Sequence, residues 1–201
     1  MTIGIDEVGR GPLAGPVFVA AVALPASVDL AASGLPLRDS KKLTEMQRTA
    51  WHAWIRRHPE IRYEVAKCAP KTIDRINITQ AANRAARAAH ARLIRRTGRA
   101  NPGTILLDYG IRLDKGVAQE MIVKGDEKVP AITLASIMAK VARDAYMAKQ
   151  AKKHPGYGWE ANKGYGTASH IKALKKWGPC DIHRLTFIRK FIKLKANEVK
   201  S

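Results

Sequence analysis

Thr2-Ile3-Gly4-Ile5-Asp6-Glu7-Val8-Gly9-Arg10-Gly11-Pro12-Leu13-Ala14-Gly15-Pro16-Val17-Phe18-Val19-Ala20-Ala21-Val22-Ala23-Leu24 opens the chain with two apolar runs separated by a loop. Thr2 to Val8 is short and partly alternating, and Val17 to Leu24 is compact and rich in valine, so both read as strands. The glycines and prolines between Gly9 and Pro16 exclude regular structure and let the backbone approach a ligand closely. Asp6 and Glu7 are adjacent acids near the end of the first strand, and successive strand side chains point to opposite faces, which puts Asp6 on the face of Gly4 and Val8.

Moving outward, Thr44 to Arg57 reads as a helix with Thr44 as N-cap and Glu45 in its first turn. Ile61 to Cys68 alternates as a half-buried strand that Pro70 ends. Thr79 to Arg96 is the clearest helix: Ala82, Ala86, Ala89 and Leu93 form a narrow stripe suited to close packing on a sheet, opposite Arg84, Arg92 and Arg95. After the turn Asn101-Pro102-Gly103, Thr104 to Asp108 reads as a buried strand ending in a carboxylate. Gln119 to Val123 is a further strand, Asp126 sits in a loop at 124–128, and Leu134 to Lys153 returns to helical periodicity. The last third is helical, broken at Pro155-Gly156, Gly164, Gly166 and Gly178-Pro179, and a basic tail from Arg189 to Lys200 interleaves aromatic and aliphatic residues as either an amphipathic helix or a solvated end would.

The chain has 201 residues, 46% of them hydrophobic, which suits one domain with a sizeable core. Its 36 Lys plus Arg against 17 Asp plus Glu give a formal net charge of +19, unevenly placed. Segments 1–47 and 100–139 each carry net −1, whereas 48–99 carries +10 and 140–201 carries +11. If the two near-neutral segments meet, they set an acidic pocket inside a basic surface, which suits a polyanion held by Lys and Arg. Charge alone fits a ribosomal protein or a non-enzymatic nucleic-acid binder equally well. Cys68 and Cys180 form neither a disulfide framework nor a zinc pattern. Asp6 and Glu7 near the start leave no signal-peptide pattern, and Pro12, Gly15, Pro16 and Pro25 would break a membrane span over the uncharged stretch Gly11 to Val28; a cytoplasmic protein is expected.

Asp6, Glu7, Asp108 and Asp126 are acids at strand ends or in a loop without a His or Cys pattern beside them, a donor set for a hard cation such as Mg²⁺. Asp108 meets Asp6 and Glu7 if the two strands are neighbours. Taken alone, Asp126 reads as an ordinary turn acid.

Asp6 to Val17 resembles the amino-terminal signature of ribonuclease HII, a family that cleaves RNA in RNA–DNA hybrids and at single ribonucleotides in DNA. Similar blocks follow in order: Asp39-Ser40-Lys41-Lys42-Leu43, Ile76-Asn77-Ile78-Thr79-Gln80-Ala81, Lys124-Gly125-Asp126, Ala135 to Asp144, His154-Pro155-Gly156-Tyr157-Gly158 and Lys163-Gly164-Tyr165-Gly166-Thr167. The resemblance implies an α/β ribonuclease H-like fold: a central mixed five-stranded sheet flanked by helices, in one catalytic domain over 1–201. Within it, about 145–201 forms a C-terminal helical substrate-binding extension. It also implies that Asp6, Glu7, Asp108 and Asp126 are catalytic ligands of two Mg²⁺ or Mn²⁺ ions. Cutting is then expected 5′ of the ribonucleotide, leaving a 3′-hydroxyl and a 5′-phosphate.

The loop Gly9-Arg10-Gly11 is expected to read the ribose 2′-hydroxyl and Tyr165 to pack on the following deoxyribose, with Lys41, Lys42, Ser136 and Lys140 as further substrate contacts. Asp144, Tyr157, His154, His170 and His183 are read as structural or solvated. Three positions depart from the family pattern: Tyr109 directly follows the third acid where glycine is usual, Asn162 stands for histidine, and Thr186 for serine. A monomer acting on RNA–DNA hybrid and ribonucleotide-containing duplex is expected, with a sliding-clamp partner left open. The alternatives are an inert duplex binder keeping the basic faces, and ribonuclease HIII, which Arg10 in the glycine loop disfavours.

Overall fold

The computed structural model describes residues 1–98 and 103–193. Strand β1 (Thr2–Val8) pairs antiparallel with β2 (Val17–Leu24), which pairs antiparallel with β3 (Arg62–Cys68). On its other side β1 pairs parallel with β4 (Thr104–Asp108), which pairs parallel with β5 (Glu120–Ile122). The mixed five-stranded order is β3-β2-β1-β4-β5, so β1 is central and runs beside β4 in register Ile5↔Leu107. The acids that follow these two residues therefore emerge side by side at one edge of the sheet.

Helix α1 (Glu45–Arg57) starts with a capping box between Thr44 and Gln47. Helix α2 (Pro70–Thr97) covers one face of the sheet, where Ala82, Ala86, Ala89 and Leu93 are fully buried with Ile3, Ile5 and Leu107. The alanine stripe thus does what its periodicity implies. The helix begins earlier than Thr79, however. Pro70 takes a first-turn position that needs no N–H, and Asn77, at φ 63° and ψ 167°, divides the helix while its Oδ1 accepts from Gln80 N at 3.0 Å and caps the second part. That break hides Pro70–Ile76 from a periodicity reading.

Helix α3 (Gly125–Lys128) is one turn long, so Asp126 lies in a helical turn and not in an open loop. Lys124 adopts a left-handed conformation to start it, and Thr133 Oγ1 donates to Asp126 O at 2.8 Å. Helix α4 (Pro130–Lys153) packs on the second face with α1, burying Leu134, Ile137 and Met138 against Ala20, Val22 and Trp51. Its backbone lies directly on β1: a Cβ at Gly4 would stand 2.1 Å from the Ala131 carbonyl carbon. Helix α4 runs unbroken through position 145.

Three short helices follow: α5 (Trp159–Asn162), α6 (Ala168–Trp177) and α7 (Leu185–Ile188). Beyond Ile188 the chain turns, with Phe191 N donating to Ile188 O at 2.8 Å, and Phe191 and Ile192 pack against Leu13, Leu174 and Ile188. An amphipathic helix from Arg189 is therefore absent over 189–193, and the remainder of that tail, like Asn101-Pro102, lies outside the described residues. No helix among the described residues is long and apolar enough to cross a membrane.

Candidate active site

The parallel pairing of β1 and β4 brings Asp6, Glu7 and Asp108 together, with carboxylate oxygens all within 4.8 Å of one another. Asp6 faces α4 and takes a hydrogen bond from Ser136, whose Oγ lies 2.8 Å from Ser40 Oγ. Glu7 faces α2: Arg10 Nη1 donates to Glu7 Oε1 at 3.4 Å and to Gly110 O at 3.3 Å, while Arg10 Nη2 donates to Thr79 Oγ1 at 3.1 Å. Asp108 Oδ1 accepts from Gly125 N at 2.8 Å, which ties α3 to the end of β4. Tyr109 does not disturb this turn, because its side chain is exposed and the positive φ, 99°, falls on Gly110.

Burial sets the electrostatics. It raises the Asp6 carboxyl well above its ordinary value, with the neighbouring Glu7 charge adding to the effect. Glu7 is pushed up to about 7 by burial, only partly opposed by Arg10, and Asp108 is raised by burial and by Asp126. Glu7 Oε2 is buried without a hydrogen-bond partner among the described residues. Three crowded carboxylates, one with an orphaned oxygen and none with a soft ligand beside it, fit a divalent cation that prefers oxygen donors.

These acids open into a cleft of about 540 Å³ that Gly9, Arg10, Gly11, Lys41, Ser136, Lys140 and Tyr165 also line. Two candidates stand apart from its lining. Asp126 is buried beside it and holds Lys41 Nζ at 3.1 Å, and Lys42 reaches Glu127 at 3.6 Å. Lys140 pairs with Asp144 at 2.9 Å. Ser40 and Arg48 line the cleft as well, and sequence reasoning singled out neither. Arg48 donates to the carbonyls of Ser40 and Leu43, bonds that only the fold of the 40–48 turn creates.

Behind the cleft, the C-terminal segment grips the glycine loop. Gly164 O accepts from Leu13 N at 2.8 Å, Gly15 N donates to Ile182 O at 2.8 Å, and Ala14 bridges His183. Gly164 must be glycine here, since φ is 86° and a Cβ would lie 2.6 Å from Ala14 O. His183 accepts at Nδ1 from Cys180 N at 2.9 Å, which leaves its proton on Nε2, facing His170 Nε2 at 3.2 Å. His170 then carries its proton on Nδ1, donated to Tyr165 O at 2.9 Å. Burial drives His183 down to about 3 and lowers His170, so both stay neutral at neutral pH. Tyr157 is buried and stacks on Trp159, with its hydroxyl donating to Gly178 O at 2.8 Å.

The sequence model of ribonuclease HII matches residues 3–190. The chain belongs to the ribonuclease HII family. A ribonuclease HII of Caldicellulosiruptor bescii is 42% identical over 95% of this chain and 88% of its own length. One from Syntrophobacter fumaroxidans is 45% identical over 93% and 76%. Among solved structures, a complex of PCNA with RNase HII from Archaeoglobus fulgidus superposes with a TM-score of 0.74 at 27% identity, covering 98% of this chain and 100% of that one. The ribonuclease H-like α/β fold follows, and with it endonuclease activity on the RNA of RNA–DNA hybrids, a family activity that uses divalent metal ions.

Proposed function

We propose that this ribonuclease HII also cuts 5′ of single ribonucleotides embedded in duplex DNA, leaving a 3′-hydroxyl and a 5′-phosphate. The observation that carries this reading is the meeting of Asp6, Glu7 and Asp108 on the floor of a cleft whose rim holds the Gly9–Gly11 loop and Tyr165. Asp6, Glu7 and Asp108 would hold the divalent cations, with Asp126, now paired with Lys41, as the fourth acid of the set. When bound, a pair of Mg²⁺ or Mn²⁺ ions supplies nucleophile activation and leaving-group stabilisation for an in-line displacement.

The remaining work belongs to the chain. Ser136 and Arg10 orient Asp6 and Glu7 through the hydrogen bonds described above. Lys41, Lys42 and Lys140 hold phosphates, and the backbone of Gly9-Arg10-Gly11 senses the 2′-hydroxyl, the atom that separates RNA from DNA. Tyr165, 43% exposed at the rim, offers its ring to the next sugar. The region after α4 forms the substrate-binding part of a single catalytic domain that acts as a monomer. The likeness to a ribonuclease HII solved with PCNA supports a sliding clamp as a partner.

Cleavage of a long RNA–DNA hybrid with Mg²⁺, with Mn²⁺ and with chelator, beside Asp6→Asn, tests the assignment of the acids. Cutting with either ion, none with chelator, and a loss on the order of 10³-fold in the variant with binding retained are expected. Hybrid binding without cutting by the wild type under every condition would make the chain an inert binder.

A further inference from the structure

The loop from Gly9 to Pro16 carries its recognition groups on its backbone, so whatever holds that backbone decides what it reads. Three of its carbonyls converge on one side chain 169 to 175 positions away. Arg184 Nη2 donates to Gly9 O at 2.6 Å, Nη1 to Arg10 O at 2.8 Å and Nε to Gly15 O at 2.9 Å. Arg184 is fully buried, and its own N–H donates to Leu13 O at 2.8 Å. Asp74 fixes the chain just after it by accepting from Leu185 N at 2.8 Å and Thr186 N at 2.9 Å. A planar guanidinium presents its donors in a rigid fork, so the three carbonyls are held in fixed relation to one another.

The consequence lies on the opposite side of each peptide. In a trans peptide the C=O and N–H point in opposite directions. Turning Gly9 O and Arg10 O inward to Arg184 therefore turns the N–H groups of Arg10 and Gly11 outward. Neither N–H has a hydrogen-bond partner among the described residues, and both residues line the cleft. Two outward backbone donors beside the carboxylates suit the oxygen of a ribose 2′-hydroxyl.

We propose that Arg184 is a positioning residue for substrate selectivity: it aims the Arg10 and Gly11 N–H groups at the ribose, and it takes no part in the chemistry at Asp6, Glu7 and Asp108. This rests on the proposed reading of the glycine loop. Arg184 carries the assignment because every side-chain bond it makes to the loop goes to a carbonyl, and lysine or glutamine cannot span the three together.

The test compares Arg184→Lys and Arg184→Gln with the wild type, each confirmed as folded by circular dichroism. Affinity is measured in chelator, so that nothing is cut, for an all-DNA duplex and for the same duplex carrying one ribonucleotide. The wild type should prefer the ribonucleotide duplex, and the folded variants should lose about fivefold or more of that preference, the worth of one hydrogen bond, while holding all-DNA duplex within about twofold. Equal weakening on both duplexes, an unchanged preference, or failure of both variants to fold would each overturn the role of Arg184. A wild type without preference would instead overturn the reading of the loop itself.

Discussion

Glu7 shows most directly what the buried acids cost the fold. Its carboxyl, pushed to about 7 by burial, keeps a proton in the folded state that the unfolded chain releases near the ordinary 4.5. The folded state thus binds more protons between those values, and stability contributed here falls as pH climbs from about 4.5 to about 7. In chelator, Glu7→Gln should melt several degrees above wild type at pH 8 and close to it at pH 4.5, while losing cleavage; Mg²⁺ should narrow the gap at pH 8 by stabilising the wild type. A melting difference independent of pH would contradict this. Because both proteins keep His183, its opposing effect, stability lost as pH falls from about 6.5 toward about 3, cancels in the comparison. Asp6, Glu7 and Asp108 were legible in sequence because each ends an apolar run, and strand polarity carries such acids to one edge. Arg184 was not, because its partners lie 169 to 175 positions away on backbone whose direction only the folded loop defines.

At the scale of elements, the site depends on how closely α4 lies on β1 and on how α2 is broken. Gly4→Ala would drive a methyl into the Ala131 peptide, so the pair must separate at the position that sets Ser136 over Asp6. A loss above about 3 kcal/mol in denaturant unfolding is expected, beyond ordinary overpacking because the obstacle is backbone. A loss below about 1 kcal/mol would mean that α4 shifts freely. Asn77 combines a strained backbone with the cap on Gln80 N. Asn77→Ala should cost about 1 to 2 kcal/mol, because it loses the cap and keeps the positive φ. The alanine stripe of α2 and the Thr44 cap of α1 were readable because they are local. The front of α2 and the helical turn at Asp126 were not, since an unusual φ at Asn77 and at Lys124 interrupts the periodic signal.

The acidic floor lies in a cleft that Arg10, Lys41, Arg48 and Lys140 also line, within a chain of net charge +19, and that contrast governs binding. Affinity for duplex should fall linearly in log–log terms with salt, and Lys140→Gln and Lys41→Gln should each reduce the slope by about one if each contacts a phosphate. An unchanged slope would return Lys140 to its pair with Asp144. Two near-neutral segments in a strongly basic chain foreshadowed this arrangement, although charge counts could not say that β1 and β4 would be neighbours. The most direct test of the proposed activity is end mapping of a labelled DNA duplex with one ribonucleotide, cut by wild type and by Asp108→Asn in Mg²⁺. A single cut on the 5′ side of the ribonucleotide, with a 3′-hydroxyl and no product from the variant, is expected. No cut at the lone ribonucleotide under conditions that degrade a long hybrid would contradict it.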